Sequence, residues 1–225
     1  MDEIRTHFSK TVDDYDTVSD KVVMKNNEMH KCLVDAISFE KNKELKILDL
    51  GCGTGHGMKL IMKMFPNAIA TGIDYSHKMI EKSKKNLSEF LDRVVLVEED
   101  FNKIDLTEKY DVIVSAAAIH NSSHENKQTL FKKIYNALKE DGIFINADFI
   151  RAQTDDLNNQ YREIYRKFLE NNLCREELKI WLKHAFEEDM PMKLSEQFII
   201  LKNHGFANVK IVWQFNHEVV YIAKK

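Results

Sequence analysis

Asp49-Leu50-Gly51-Cys52-Gly53-Thr54-Gly55-His56-Gly57 gathers four of the chain's seven glycines into seven residues. Leu45-Lys46-Ile47-Leu48 precedes it and reads, with Asp49 and Leu50, as a short strand. After it, Met58, Leu60, Ile61, Met62 and Met64 follow helical spacing until Pro66 closes the run. Glycine at a strand-to-helix turn permits positive φ and lets a ligand touch the backbone. Two phosphate-binding signatures fail here. A GxGxxG fingerprint begun at Gly51 meets His56 in the third glycine position, and one begun at Gly53 meets Met58. No Gly-Lys-Ser/Thr follows, so the P-loop pattern fails as well. An acidic residue two places ahead of a GxGxG turn is what remains.

Strand and helix alternate outward from this loop. Ala68 to Asp74 reads as a strand, and Ser76 caps a helix carrying Met79, Ile80, Ser83, Leu87 and Phe90 on one face. Val94–Val97 and Tyr110–Ser115 are further strands, joined by a connection short enough to be a loop or a single turn. A helix over 125–139 is expected to stop at Gly142, before a fifth strand, Ile143–Asp148. Such alternation predicts a parallel sheet with crossover helices. Ahead of it, Val22, Met29, Leu33, Ala36 and Ile37 suit one face of a helix within residues 18–39. Behind it, residues 155–187 carry two helical patterns, and a short helix over 195–203 halts near Gly205. Val209–Phe215 and Val219–Ala223 are separated by three residues, which predicts an antiparallel hairpin at one side of the sheet.

The chain of 225 residues has 33 Lys and Arg against 36 Asp and Glu, a formal charge of −3. This balance argues against a globally basic nucleic-acid binder, while a local patch stays open. No stretch approaches the roughly 20 apolar residues of a membrane span. The opening Met1-Asp2-Glu3-Ile4-Arg5 lacks a basic segment leading into an apolar one, so a reduced, cytoplasmic protein is expected. Cys32, Cys52 and Cys174 are too few for a disulfide scaffold and form no CxxC pair for zinc.

Asp49-Leu50-Gly51-Cys52-Gly53-Thr54-Gly55 closely resembles motif I of class I S-adenosylmethionine-dependent methyltransferases. Gly72-Ile73-Asp74-Tyr75-Ser76-His77-Lys78-Met79 is similar to the family's second motif. The resemblance is strong over residues 45–150 and architectural beyond them. It implies a Rossmann-like α/β fold, a seven-stranded sheet in order 3-2-1-4-5-7-6 with strand 7 antiparallel, helices on both faces and an added helical lid. It further implies that Asp74 accepts both ribose hydroxyls of the cofactor, and that Tyr75 and Met79 pack on the adenosine. Asp100 would take the adenine amino group with Phe101 beside the ring. In the loop of Gly51, Gly53 and Gly55, the Gly51 and Gly53 backbone would face the methionine moiety, Asp49 would orient its ammonium, and Ser115 would close the pocket. The residues support that cofactor on their own terms. Three strands end in carboxylates, Asp49, Asp74 and Asp100, where open α/β sheets bind ligands, and carboxylates suit a cation with a ribose diol better than a pyrophosphate.

Residues 115–124, Ser-Ala-Ala-Ala-Ile-His-Asn-Ser-Ser-His, lack the Asn/Asp-Pro-Pro-Tyr motif that related enzymes use on base amino groups and glutamine amides. His120 falls where small-molecule members place a residue facing the methyl group, and it is the candidate catalytic base; a pocket-closing loop histidine is the other reading. His120 and His124 sit four apart, but no third ligand accompanies them, so no metal is expected. Acceptor specificity is expected from the added segments, residues 1–44 and 151–204, with 205–225 completing the sheet of a single domain. His7-Phe8 and Tyr15-Asp16 resemble a segment that folds over the cofactor, with Tyr15 as a lid residue. Tyr161, Tyr165, Phe168 and Trp181 form a stripe expected to contact the core, and Arg151, Arg162, Arg166 and Arg175 could hold an anion. The expected activity is methyl transfer from S-adenosylmethionine to a small molecule, leaving S-adenosylhomocysteine, by a monomer or homodimer without membrane or nucleic-acid partner. A tRNA or protein methyltransferase, a silent cofactor binder and a nicotinamide oxidoreductase are the competing readings.

Overall fold

The computed structural model describes residues 15–225. His7-Phe8 of the expected lid segment lies outside the described residues, and Tyr15, the expected lid residue, is described in its backbone alone. Two short helices, α1 (Tyr15–Val22) and α2 (Asn26–Asp35), lead into β1 (Lys46–Leu50), α3 (His56–Met64), β2 (Ile69–Asp74), α4 (His77–Asn86) and β3 (Val94–Glu98). Then come β4 (Tyr110–Ala116), α5 (His124–Ala137), β5 (Leu138–Phe149), α6 (Asp155–Asn172), α7 (Arg175–Lys183) and α8 (Leu194–Asn203). A hairpin of β6 (Ala207–Phe215) and β7 (Glu218–Lys224) ends the order.

The strands form one seven-stranded sheet in the order β3-β2-β1-β4-β5-β7-β6. Pairs from β3 to β5 are parallel, whereas β7 runs antiparallel between β5 and β6. Alternate side chains leave the sheet on opposite faces, so near-continuous apolar strands feed two cores. Ile47, Val112, Val114, Ile143 and Ile145 meet α2, α3, α6 and α7 through Met29, Leu33, Met58, Ile61, Leu169 and Trp181. Their strand neighbours Leu48, Leu50, Ile113 and Phe144 meet α5 and α8 through Leu130, Phe131, Ile134 and Leu201.

Two expected boundaries move, each for a local reason. The helix expected within 18–39 is broken after Val22, although Val22, Met29, Leu33 and Ile37 are buried as its stripe requires. The break comes from a distant carboxylate. Glu218, at the start of β7, accepts from the amides of Met24 (2.6 Å) and Lys25 (3.0 Å), donors that a continuous helix would direct to its own carbonyls. At the other boundary, α5 stops at Ala137 and β5 begins at once. Asp141 takes the left-handed conformation (φ 62°), and Gly142 lies within the strand. A Cβ on Gly142 would stand 2.8 Å from the Lys139 carbonyl oxygen, so this glycine serves a close backbone approach and caps no helix.

Glu218 carries a pH-dependent consequence. Burial pushes its carboxyl up from 4.5 to about 7, even against the two amide hydrogen bonds. The folded state therefore takes up a proton here between those values, so this residue's contribution to stability is fullest below 4.5 and is lost as pH rises through about 7. Glu218→Gln should flatten the stability profile across that window in urea unfolding at several pH values. An unchanged slope would show that the carboxyl titrates alike in both states.

Candidate active site

Beyond the carboxyl ends of β1, β2, β4 and β5 opens a cleft of about 1690 Å³, room for a cofactor and a second ligand. Its floor is the glycine loop. Gly51 and Gly53 adopt φ 76° and 51°, and the Gly51 and Cys52 amides donate to the Ile73 carbonyl, tying the loop to β2. A Cβ on Gly51 would lie 2.4 Å from that of Ala118. Only glycine fits there.

Asp49 and Asp74 stand side by side at the strand ends, both buried and both lining the cleft. Asp74 Oδ2 accepts from Gly53 N (3.0 Å) and Oδ1 from Ser76 N (2.9 Å), which fixes the carboxylate and holds the loop in shape. Burial, then the Asp74 charge, push Asp49 up to about 7. Burial also raises Asp74, against the pull of its two amide donors. Two carboxylates crowded out of water are an environment waiting for a cation.

Tyr75, half-exposed, and buried Met79 follow on the turn into α4, whose N-cap Ser76 accepts from Met79 N. Asp100 accepts from the Asn102 amide (2.9 Å) and side chain (3.2 Å), with Phe101 buried beside it. All four line the cleft. Two expected cofactor residues do not. Ser115 is fully buried and donates from Oγ to the Leu50 carbonyl (2.8 Å), bonding β4 to β1. Gly55, at φ 82°, packs the loop against α4, where a Cβ would meet Ser83 Oγ at 2.6 Å. Both hold the scaffold.

A 3-10 turn, Ile119–Asn121, carries His120 into the same cleft. Its amide donates to Asp148 Oδ2 (2.9 Å), and Nδ1 lies 2.6 Å from Asp148 Oδ1. Nε2 lies 3.0 Å from Asn121 Nδ2. Phe149 meets the ring edge-on. Burial alone would lower the pKa of His120, but the Asp148 and Asp189 carboxylates outweigh it and raise the value above 6.5. Asp148 escaped the sequence reading, although it ends β5 just as Asp49 and Asp74 end their strands. The same signal would have found it. Lys127, fully buried on α5, donates from Nζ to the carbonyls of His120 (3.2 Å), Ser122 and Met190 (2.6 Å). This ammonium, lowered to about 8 by burial, staples the His120 turn to the loop at Met190.

Over the cleft lie α6 and α7. Tyr165 and Trp181 belong to the core as expected, yet they also line the cleft with Tyr161 and Phe186. Of the arginines, Arg151 pairs with Asp155 (2.8 Å) and Arg162 stacks on Phe186 (4.2 Å). No cluster of three or more metal-ligating side chains occurs among the described residues.

A family model described as a methyltransferase domain matches residues 41–201. The chain belongs to this family. It is an S-adenosylmethionine-dependent methyltransferase, and its sheet order is the one the family resemblance implied. The malonyl-[acyl-carrier protein] O-methyltransferase of Priestia megaterium is 28% identical over 231 residues, covering 95% of this chain and 81% of that protein. The carboxy-S-adenosyl-L-methionine synthase of Nautilia profundicola is 29% identical over 194 residues, covering 85% and 82%. Human N-acetylserotonin methyltransferase, solved with S-adenosylmethionine, shares the fold with a TM-score of 0.63 at 18% identity; the match covers 87% of this chain and 51% of that one. The methyltransferase's own cleft fits the cofactor: buried carboxylates at two strand ends, backbone brought close by Gly51, and apolar Met79 and Phe101 beside them. No helix among the described residues is long and apolar enough to cross a membrane.

Proposed function

We propose that the protein methylates a small-molecule acceptor seated between the cofactor and His120. One observation carries the reading. His120 faces the cleft with its ring locked by Asp148, and the cleft extends past it under the aromatic roof of α6 and α7. On the other side Asp74 would hold the ribose, Asp49 the ammonium, and Asp100 the adenine amino group. Tyr75, Met79 and Phe101 would flank the adenosine, with the Gly51 and Gly53 backbone against the methionine moiety. The bound cofactor supplies an electrophilic methyl on a sulfonium. The chain's part is to align the acceptor for in-line displacement, exclude water and receive at His120 any proton the acceptor loses. The −3 charge supports a small acceptor over tRNA.

Calorimetric titration with S-adenosylmethionine, S-adenosylhomocysteine and NAD tests the cofactor half, with micromolar affinity expected for the first two alone. Asp49 adds a pH signature. At about 7 in the free protein, it must shed its proton to face an ammonium, so affinity should rise with pH up to about 7 and then level, by at most about tenfold per unit. A flat profile would remove Asp49 from the ammonium site. Incubation with labelled methyl donor and separated cell fractions tests the acceptor half. Label entering tRNA or protein, with none in the small-molecule fraction, would overturn the reading.

A further inference from the structure

On the side of His120 away from Asp148 stands another carboxylate, which no sequence signal marked. Asp189 follows a π-helical turn, His184–Glu188, and its amide donates to the His184 carbonyl (3.0 Å). The side chain is nine-tenths buried and lines the cleft. Its Oδ1 is wedged 3.8 Å from His120 Nε2 and 3.5 Å from His184 Nδ1, and makes no hydrogen bond to either. The next residue is clamped at both ends. Met190 donates its amide to the His120 carbonyl (3.1 Å), and its own carbonyl accepts from Lys127. Asp189 is therefore anchored beside His120 and is not a surface side chain that happens to point inward.

The charged and titratable groups around His120 come from every packed element. They are Asp148 from β5, Asp189 and His184 from the loop and turn, Lys127 from α5, and His217 from the β6–β7 turn. Burial pushes His217 down to about 3, so it stays neutral. With the imidazoles uncharged, two carboxylates face one ammonium, a net charge of −1. One proton on His120 brings the group to zero. While His120 is neutral, a buried cluster with that balance accepts a proton from whatever lies against it and repels a second anion.

We propose that Asp189 is a specificity-determining residue that restricts the acceptor to protic nucleophiles, hydroxyls or amines, and turns away carboxylates. The inference rests on the acceptor compartment assigned above. As the acceptor atom bonds the methyl carbon, the carbon–sulfur bond breaks with its electron pair staying on sulfur, and the proton displaced from the acceptor passes to His120 Nε2. A carboxylate has no proton to give, and it would place a second negative charge beside Asp189.

The test uses two probes of one shape, 4-methylphenol and benzoate, titrated by NMR into the whole protein saturated with S-adenosylhomocysteine. The phenol should bind at least about tenfold more tightly than benzoate. Asp189→Asn and Asp189→Ala should both narrow that ratio to under about threefold, while the affinity for S-adenosylhomocysteine stays within about twofold. The His120 titration, followed by NMR in the same samples, should move to lower pH in Asp189→Asn. Equal affinities in the unaltered protein, no measurable binding of either probe, or a ratio unmoved by both substitutions would overturn the proposal. Loss of S-adenosylhomocysteine binding in the unaltered protein would instead strike at the cofactor reading, so the two failures separate.

Discussion

His120→Ala is expected to slow methyl transfer by about 100- to 10,000-fold while leaving the affinity for S-adenosylmethionine within about threefold. The ring is held by Asp148 on β5, whereas Asp49 and Asp74 stand at the ends of β1 and β2, so its removal should open space beside the acceptor and leave both carboxylates in place. Alanine also strips a partner from buried Asp148, a cost of about 1–3 kcal/mol. His120→Asn, which keeps a donor within reach of Asp148, guards against mistaking a loosened fold for a lost base. The rate in the unaltered enzyme should rise with pH through a value above 6.5, because the flanking carboxylates favour the imidazolium, which cannot act as a base. If His120→Ala abolishes cofactor binding, or leaves the pH profile of kcat as it was, the residue is part of the frame.

Asp74→Ala should weaken cofactor binding by about 2–3 kcal/mol, or about 30- to 150-fold, since it would remove the carboxylate proposed to hold two ribose hydroxyls. Part of that loss is indirect. The same carboxylate accepts from Gly53 N and Ser76 N, so alanine frees the glycine loop and the start of α4 together. Asp74→Asn separates the two contributions, because one amide oxygen can still hold one of those donors. Removing Asp74 also relieves the charge that helps to raise Asp49, which should then ionise at lower pH. A loss below half a kcal/mol by calorimetry would refute the assigned role.

Much of this site was legible because it is local. The glycine loop, the aspartates ending β1 and β2, and the Ser76 cap each depend on residues within a few positions, and pattern alone fixes them. The hairpin was equally readable, since a short gap between two β-rich runs allows only an antiparallel return. What escaped is long-range. Nothing near residues 18–39 announces a helix break, which depends on a carboxylate almost two hundred positions away. Gly142 has the position of a glycine that ends a helix, but Leu138 pairs with Tyr110 in the sheet and the helix stops before it. Ser115 sat at the right strand end with its side chain turned to Leu50, a choice of face that strand position alone did not reveal. Asp189 lies in an irregular loop, where no periodicity exists to read.

The place of β7 inside the sheet also bears on how the chain gets there. Made after β6, it nevertheless lies between β6 and β5, so β6 has no sheet partner until its successor inserts. The Glu218 bonds that break the N-terminal helix can form only after that insertion, although α1 and α2 are made first. Contacts so distant in sequence are slow to close, so the Glu218 bonds to Met24 and Lys25 are expected among the late contacts of folding. Val22, Asn26 and His30 of α1 and α2 also line the cleft, so the lock that Glu218 sets between these helices is expected to fix that wall after the parallel strands β1 to β4 have paired.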